Sequence, residues 1–187
     1  MNIKVWSSVI GGLMLASGAQ AAEFTSIQTD KSTLHFVYKQ MGVPVDGSFK
    51  KFNAQLAFDP AKLANAKVAF ELNLASIDAG SDEANDEVSS KSWFNTKVYP
   101  KATFASTSVK QLSGNRYEVS GKMTIKGHTQ TITAPFTFTP QGNTATVDGG
   151  FVLKRAEFAI GEGVWADFGT VANEIQINFH FLANASK

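Results

Sequence analysis

The chain has 187 residues, no cysteine, 43% hydrophobic residues and a formal charge of +1. That length fits one domain with a core large enough to fold without staples, and the missing cysteine excludes disulfides, thiolate-bound zinc and thiol catalysis. Near-neutral charge gives no electrostatic footprint for nucleic acid or an anionic membrane.

The first 21 residues read as a targeting segment. Lys4 supplies a positive start, Val9 to Ala16 a short apolar run, and Ala19-Gln20-Ala21 the small residues of a cleavage site. Cleavage is expected before Ala22, which implies export. Gly11 and Gly12 interrupt the apolar run, which is too short to span a bilayer comfortably. The expected mature domain is residues 22–187, with 16 basic and 16 acidic side chains. All 15 phenylalanines fall within it, so its interior is expected to be lined with rings.

From Thr33 to Lys39, Leu34, Phe36 and Tyr38 share one face and Thr33, His35 and Lys39 take the other. This is the period-2 pattern of a half-buried strand. Gly42 to Gly47, holding Pro44, reads as a turn region. Phe52, Ala54, Leu56 and Phe58 then line one face, and Phe49 breaks that parity, so a bulge is expected before Phe52. Ala66 to Leu74 alternates most cleanly, with Val68, Phe70, Leu72 and Leu74 on one side.

Ser76 to Phe104 does not alternate. It holds four carboxylates, Asp82, Glu83, Asp86 and Glu87, before Trp93-Phe94 and Tyr99-Pro100. The carboxylates suit the first turns of a short helix capped by Ser81 or Asp82. The segment is expected to cover one end of the sheet.

A weaker strand follows, Thr103 to Val109, then a hairpin turn at Ser113-Gly114-Asn115. Tyr117, Val119, Gly121, Met123 and Ile125 share the next face. Gly127-His128 turns the chain, and Ile132, Ala134, Phe136 and Phe138 line the following strand. After Gln141-Gly142-Asn143 come Val147, Gly149, Phe151 and Leu153. A glycine loop leads to Trp165, and the last strand sets Ile175, Ile177, Phe179 and Phe181 on one face before a polar tail from Ala183.

About eight strands joined mostly by short turns predict an all-β fold, a single eight-stranded antiparallel barrel with a short helical cover. The strands lack the aromatic girdles of an outer-membrane barrel, so the apolar face is expected inward. A barrel of this size is either filled by side chains or holds one small ligand. Gly121, Ala134 and Gly149 on the inner face either leave room or let strands bend.

Chemistry-bearing residues are sparse. His35, His128 and His180 have no partner at ligand spacing and read as surface side chains, so no metal site is expected. No nucleophile elbow, phosphate loop or dinucleotide fingerprint occurs, so neither catalytic residues nor a cofactor is assigned. Glu162 and Asp167 flank Trp165, but nothing sets them at a glycosidase separation. Trp93 and Trp165, the tryptophans of the mature chain, either plug the barrel or touch a ligand.

The order of several short motifs resembles the YceI-like family over residues 24–182. These are Val45-x-Gly47-x-Phe49, Ser76-Ile77-Asp78-Ala79-Gly80, Trp93-Phe94 with Tyr99-Pro100-x-x-x-Phe104, Gly121-x-x-Thr124-Ile125-x-Gly127, and Lys154-Arg155-x-x-Phe158-x-Ile160-Gly161. The resemblance implies a lipocalin-like barrel, exported to the periplasm, that binds a polyprenyl chain or quinone tail, with no established catalytic residues. It also implies a partner, a membrane cytochrome of the b561 type. Where many members carry Arg-Asp-x-His-Leu, this chain has Ala84-Asn85-Asp86-Glu87-Val88. An acidic residue there disfavours a phosphorylated head group and suits a neutral one. The expected ligand wall is Phe36, Phe70, Leu72, Leu74, Trp93, Phe94, Phe104, Met123, Ile125, Phe136, Phe138, Phe151, Trp165 and Phe179, with Arg155 as a contact for an anionic group.

Overall fold

The computed structural model describes residues 22–186. The expected targeting segment, 1–21, lies outside the described residues. In chain order the strands are β1 (Phe24–Ile27), β2 (Thr33–Gln40), β3 (Val43–Phe49), β4 (Phe52–Phe58), β5 (Lys67–Asn73), β6 (Ile77–Asp78), β7 (Lys101–Ser113), β8 (Arg116–Ile125), β9 (His128–Gln141), β10 (Thr144–Lys154) and β11 (Glu174–Ala185). One α-helix, α1 (Asp82–Ser89), lies between β6 and β7.

The sheet closes on itself. Neighbours run β1-β4-β5-β7-β8-β9-β10-β11, and β11 pairs back to β1. β2 continues β1 along the same side of β11, where Val37 faces Gln176 and Thr33 faces His180. Likewise β3 continues into β4 after a break at Lys50-Lys51. Counted as such pairs, the wall has the expected eight antiparallel strands. Closure leaves no long edge for another chain to pair with.

Several expected boundaries shift. Val43 to Gly47 is strand rather than turn; only Met41 and Gly42 adopt the left-handed backbone that reverses the chain. Pro44 is tolerated because β3 there has β2 on one side only. β7 is a full 13-residue strand. The tail from Ala183 is not solvated either: Ala183 is fully buried and pairs with Ile27 of β1.

The small inner residues resolve into a packing device. At Gly121 an added Cβ would strike the Phe104 ring and the Ala105 carbonyl oxygen; at Gly149 it would strike the Phe179 ring. A phenyl ring from the neighbouring strand thus lies across each glycine, which covers backbone that glycine would leave bare. The helix starts as its composition dictates. Ser81 Oγ accepts the Ala84 N–H at 3.2 Å, and Asp82 and Glu83 occupy the first turn.

Candidate ligand cavity

The barrel encloses a cavity of about 560 Å³, within the range that holds a small ligand. Alternation puts phenyl and aliphatic groups on its wall. Along β11, exposed residues alternate with the half-buried Ile175, Ile177, Phe179 and Phe181. These inward side chains are only half-buried although they lie inside the wall, because the hollow leaves part of each ring without a neighbour.

Three layers follow from one end to the other. At the end holding the β7–β8 and β9–β10 hairpins, Phe24, Phe58, Tyr117, Phe136 and Phe138 form a buried plug, with Phe58 and Phe138 centroids 4.7 Å apart. Above it, Phe52 stacks on Phe70 at 5.0 Å and Phe179 on Phe181 at 5.1 Å. At the far end, Trp93 and Trp165 meet at 5.6 Å over the core of Leu74, Phe158 and Ile160.

The cavity meets exposed residues mainly at this far end, between β2 and α1, where Gln40, Ser81 and Glu83 border it with Glu87, Val88 and Phe94 beside them; on the wall the exposed Gln55 and Thr103 also border it. Tyr38 turns its hydroxyl to the Ala79 carbonyl oxygen at 3.0 Å, and burial raises its pKa. The Glu83 carboxyl is held below the usual range by its own backbone N–H and then by the Ser81 hydroxyl. The rim therefore carries negative charge at neutral pH.

Arg155 supplies the contrary charge, but it is not free. It is 1% exposed and sits in a 3-10 turn after β10. Nε donates to Ala172 O at 3.1 Å, Nη1 to Ile160 O and Gly161 O at 2.9 and 3.0 Å, and Nη2 to Trp165 O and Val171 O at 2.7 Å each. A guanidinium has five N–H donors, and all are used. Its expected role as a contact for an anionic group is thereby corrected: the side chain ties loop 155–172 to itself. The guanidinium also stands over the Trp93 ring at 5.4 Å and the Phe168 ring at 5.1 Å. Nearby, the buried Lys126 donates to Ala159 O at 2.6 Å and Glu162 Oε2 at 2.7 Å. That bond first, and the lysine charge second, pull the Glu162 pKa down.

All fifteen residues named from the sequence border the cavity. The larger side chains missed include Tyr38, Phe49, Phe52, Phe58, Ile175, Ile177 and Phe181. Most share a strand face with a named residue, so the signal was present; Phe49 alone was masked by the strand break after it. The three histidines are exposed, and His180 pairs with Asp148 on the outer face. Among the described residues no three His, Asp or Glu side chains converge as metal ligands would.

The sequence model of the YceI-like domain matches residues 26–183. The chain belongs to the YceI-like family. A UPF0312 protein of Azotobacter vinelandii is 28% identical over 180 residues, covering 90% of each chain. The crystal structure of Burkholderia cenocepacia BcnA superposes with a TM-score of 0.82 at 45% identity, covering 85% of this chain and all of BcnA. A polyisoprenoid binding domain of Saccharophagus degradans, implicated in plant cell wall breakdown, shares the fold at a TM-score of 0.66 and 16% identity, over 89% of this chain and all of that one. In this chain Glu83 and Glu87 border the cavity and make its rim acidic.

Proposed function

We propose that this YceI-like protein is a periplasmic carrier for an apolar, isoprenoid-like chain, a polyprenyl chain or quinone tail, held along the barrel axis. The observation that supports it is the cavity: about 560 Å³ walled by phenyl rings and aliphatic side chains and open at one end. Burial of apolar area drives such binding, at about 25 cal/mol per Å² before ordering costs. The polyisoprenoid-binding neighbour supports the same ligand class. A ligand-free module docked on a b-type cytochrome needs no hollow and leaves the cavity without a use.

The head group on this reading is neutral. It rests at a rim bearing Glu83 and Glu87, and Arg155 has no donor left for it. Trp93 and Trp165 border the cavity, so a prenylated quinone quenches their emission as it binds. Saturable quenching at one quinone per chain is the expected result; absence of quenching contradicts the proposal. The corresponding polyprenyl phosphate binds at least about tenfold more weakly, and Glu83→Lys with Glu87→Lys removes that difference. Export is tested by sequencing the N-terminus of the protein from the native periplasm, which is expected to begin at Ala22.

A further inference from the structure

Among the described residues, eight large apolar side chains are exposed, and six sit on connections at the open end of the barrel. These are Met41 and Val43 at the β2–β3 turn, Val98 and Tyr99 before β7, and Val164 and Phe168 in the β10–β11 loop. The plugged end carries only Leu112. Val164 is 86% exposed and Met41 77%, and none of the six lines the cavity. Packing inside the barrel therefore does not explain them.

The connections are pinned together. Met41 N donates to Thr170 O at 2.8 Å and Ala172 N to Lys39 O at 2.9 Å, fastening the β2–β3 turn to the β10–β11 loop. Gly161 N and Glu162 N both donate to Ser92 O, fastening that loop to the segment before β7. Gln40, next to Met41, borders the cavity opening, and Trp165, next to Val164, lines the cavity behind it. The apolar tips thus form a fixed crown around the mouth.

We propose that this crown seats the barrel on the surface of a zwitterionic lipid bilayer, mouth toward the lipid, so that the chain passes between bilayer and cavity without crossing water. The proposal rests on the carrier reading and adds where the cargo is exchanged. The tips stand on separate loops with charges of both signs between them, Lys39 and Lys97 against Glu162, Asp167 and the rim carboxylates Glu83 and Glu87. A protein interface needs a contiguous, complementary patch on the order of 1,000 Å² or more. A fluid bilayer needs no matching shape and accepts separate apolar tips. Mixed charge gives no attraction to anionic lipid, so the contact is apolar and insensitive to salt.

The test is flotation of the full mature protein with phosphatidylcholine vesicles, with ligand adducts measured on the same samples by native mass spectrometry. The protein is expected to float with the vesicles equally at low and high salt. Met41→Ser with Val164→Ser, both far from the core, lowers partitioning about tenfold and leaves the adduct unchanged. Val98→Ser, in a third connection, lowers it less. Failure of the wild-type protein to float, equal flotation of the double variant, or binding that requires anionic lipid and vanishes in salt overturns the proposal. So does a dimer in solution that the double variant converts to monomer, since the tips then face a second copy. Loss of the adduct with flotation intact sinks the carrier reading instead.

Discussion

Arg155 makes hydrogen bonds to five backbone carbonyls across residues 160–172 and contacts two aromatic faces. A lysine has three donors and no planar fork, so Arg155→Lys leaves at least two carbonyls without their partner. Unfolding in denaturant is expected to show a loss of about 2–4 kcal/mol, with the near-ultraviolet signal of the Trp93–Trp165 pair reduced. An unchanged midpoint contradicts this assignment. Trp93 itself is 8% exposed and its indole N–H meets no acceptor; it contributes packing, a tilted ring contact with Trp165 and the face beneath the Arg155 guanidinium. Gly121 is required by space. Gly121→Val drives a side chain into the Phe104 ring and the Ala105 oxygen, at a cost of about 2 kcal/mol or more. Because a backbone oxygen stands there too, Phe104→Ala in the same chain does not restore the wild-type midpoint.

At the scale of elements, the β10–β11 loop is the part that pH can loosen. Lys126 holds Glu162, whose folded pKa is depressed. A depressed carboxylate contributes stability that is present above its unfolded value and is lost as pH falls through the folded one. The Gly161 and Glu162 amides, bonded to Ser92, are therefore expected to lose hydrogen-exchange protection as pH falls below about 4.3. Glu162→Gln shows weaker protection at neutral pH and no such step. Equal acid sensitivity in both proteins rules the latch out. The same elements show what sequence alone conveyed. Inner faces were legible because period 2 is a steric property of a strand: Phe70, Leu72, Phe136 and Phe138 fall where alternation put them. β3 was not legible, because Pro44 and Gly47 carry turn chemistry and only the pairing with β2 makes them strand. Arg155 is buried at the cavity as expected, but its role was not legible, because beyond Lys154 the strand gives way to a 3-10 turn whose loop takes all five of its donors. Its five partners lie up to 17 residues away in sequence, and no local pattern foretells them.

For the whole molecule, closure and hollowness are separate properties. Closure follows from eight antiparallel strand positions with β11 pairing both β1 and β10. Hollowness follows from which side chains point inward. The plug of Phe58, Tyr117, Phe136 and Phe138 fills one end, whereas Phe70, Met123, Phe151 and Phe179 remain only half-buried around the centre. Alternation foretold the faces but not the vacancy, since filling depends on how rings from opposite walls meet. The functional account depends on that vacancy being the seat of an apolar chain. Native mass spectrometry of protein purified from its native cells, followed by lipid extraction, measures it directly. The account predicts one apolar adduct per chain, released intact into organic solvent; a bare polypeptide mass from every preparation, with nothing extractable, would contradict it.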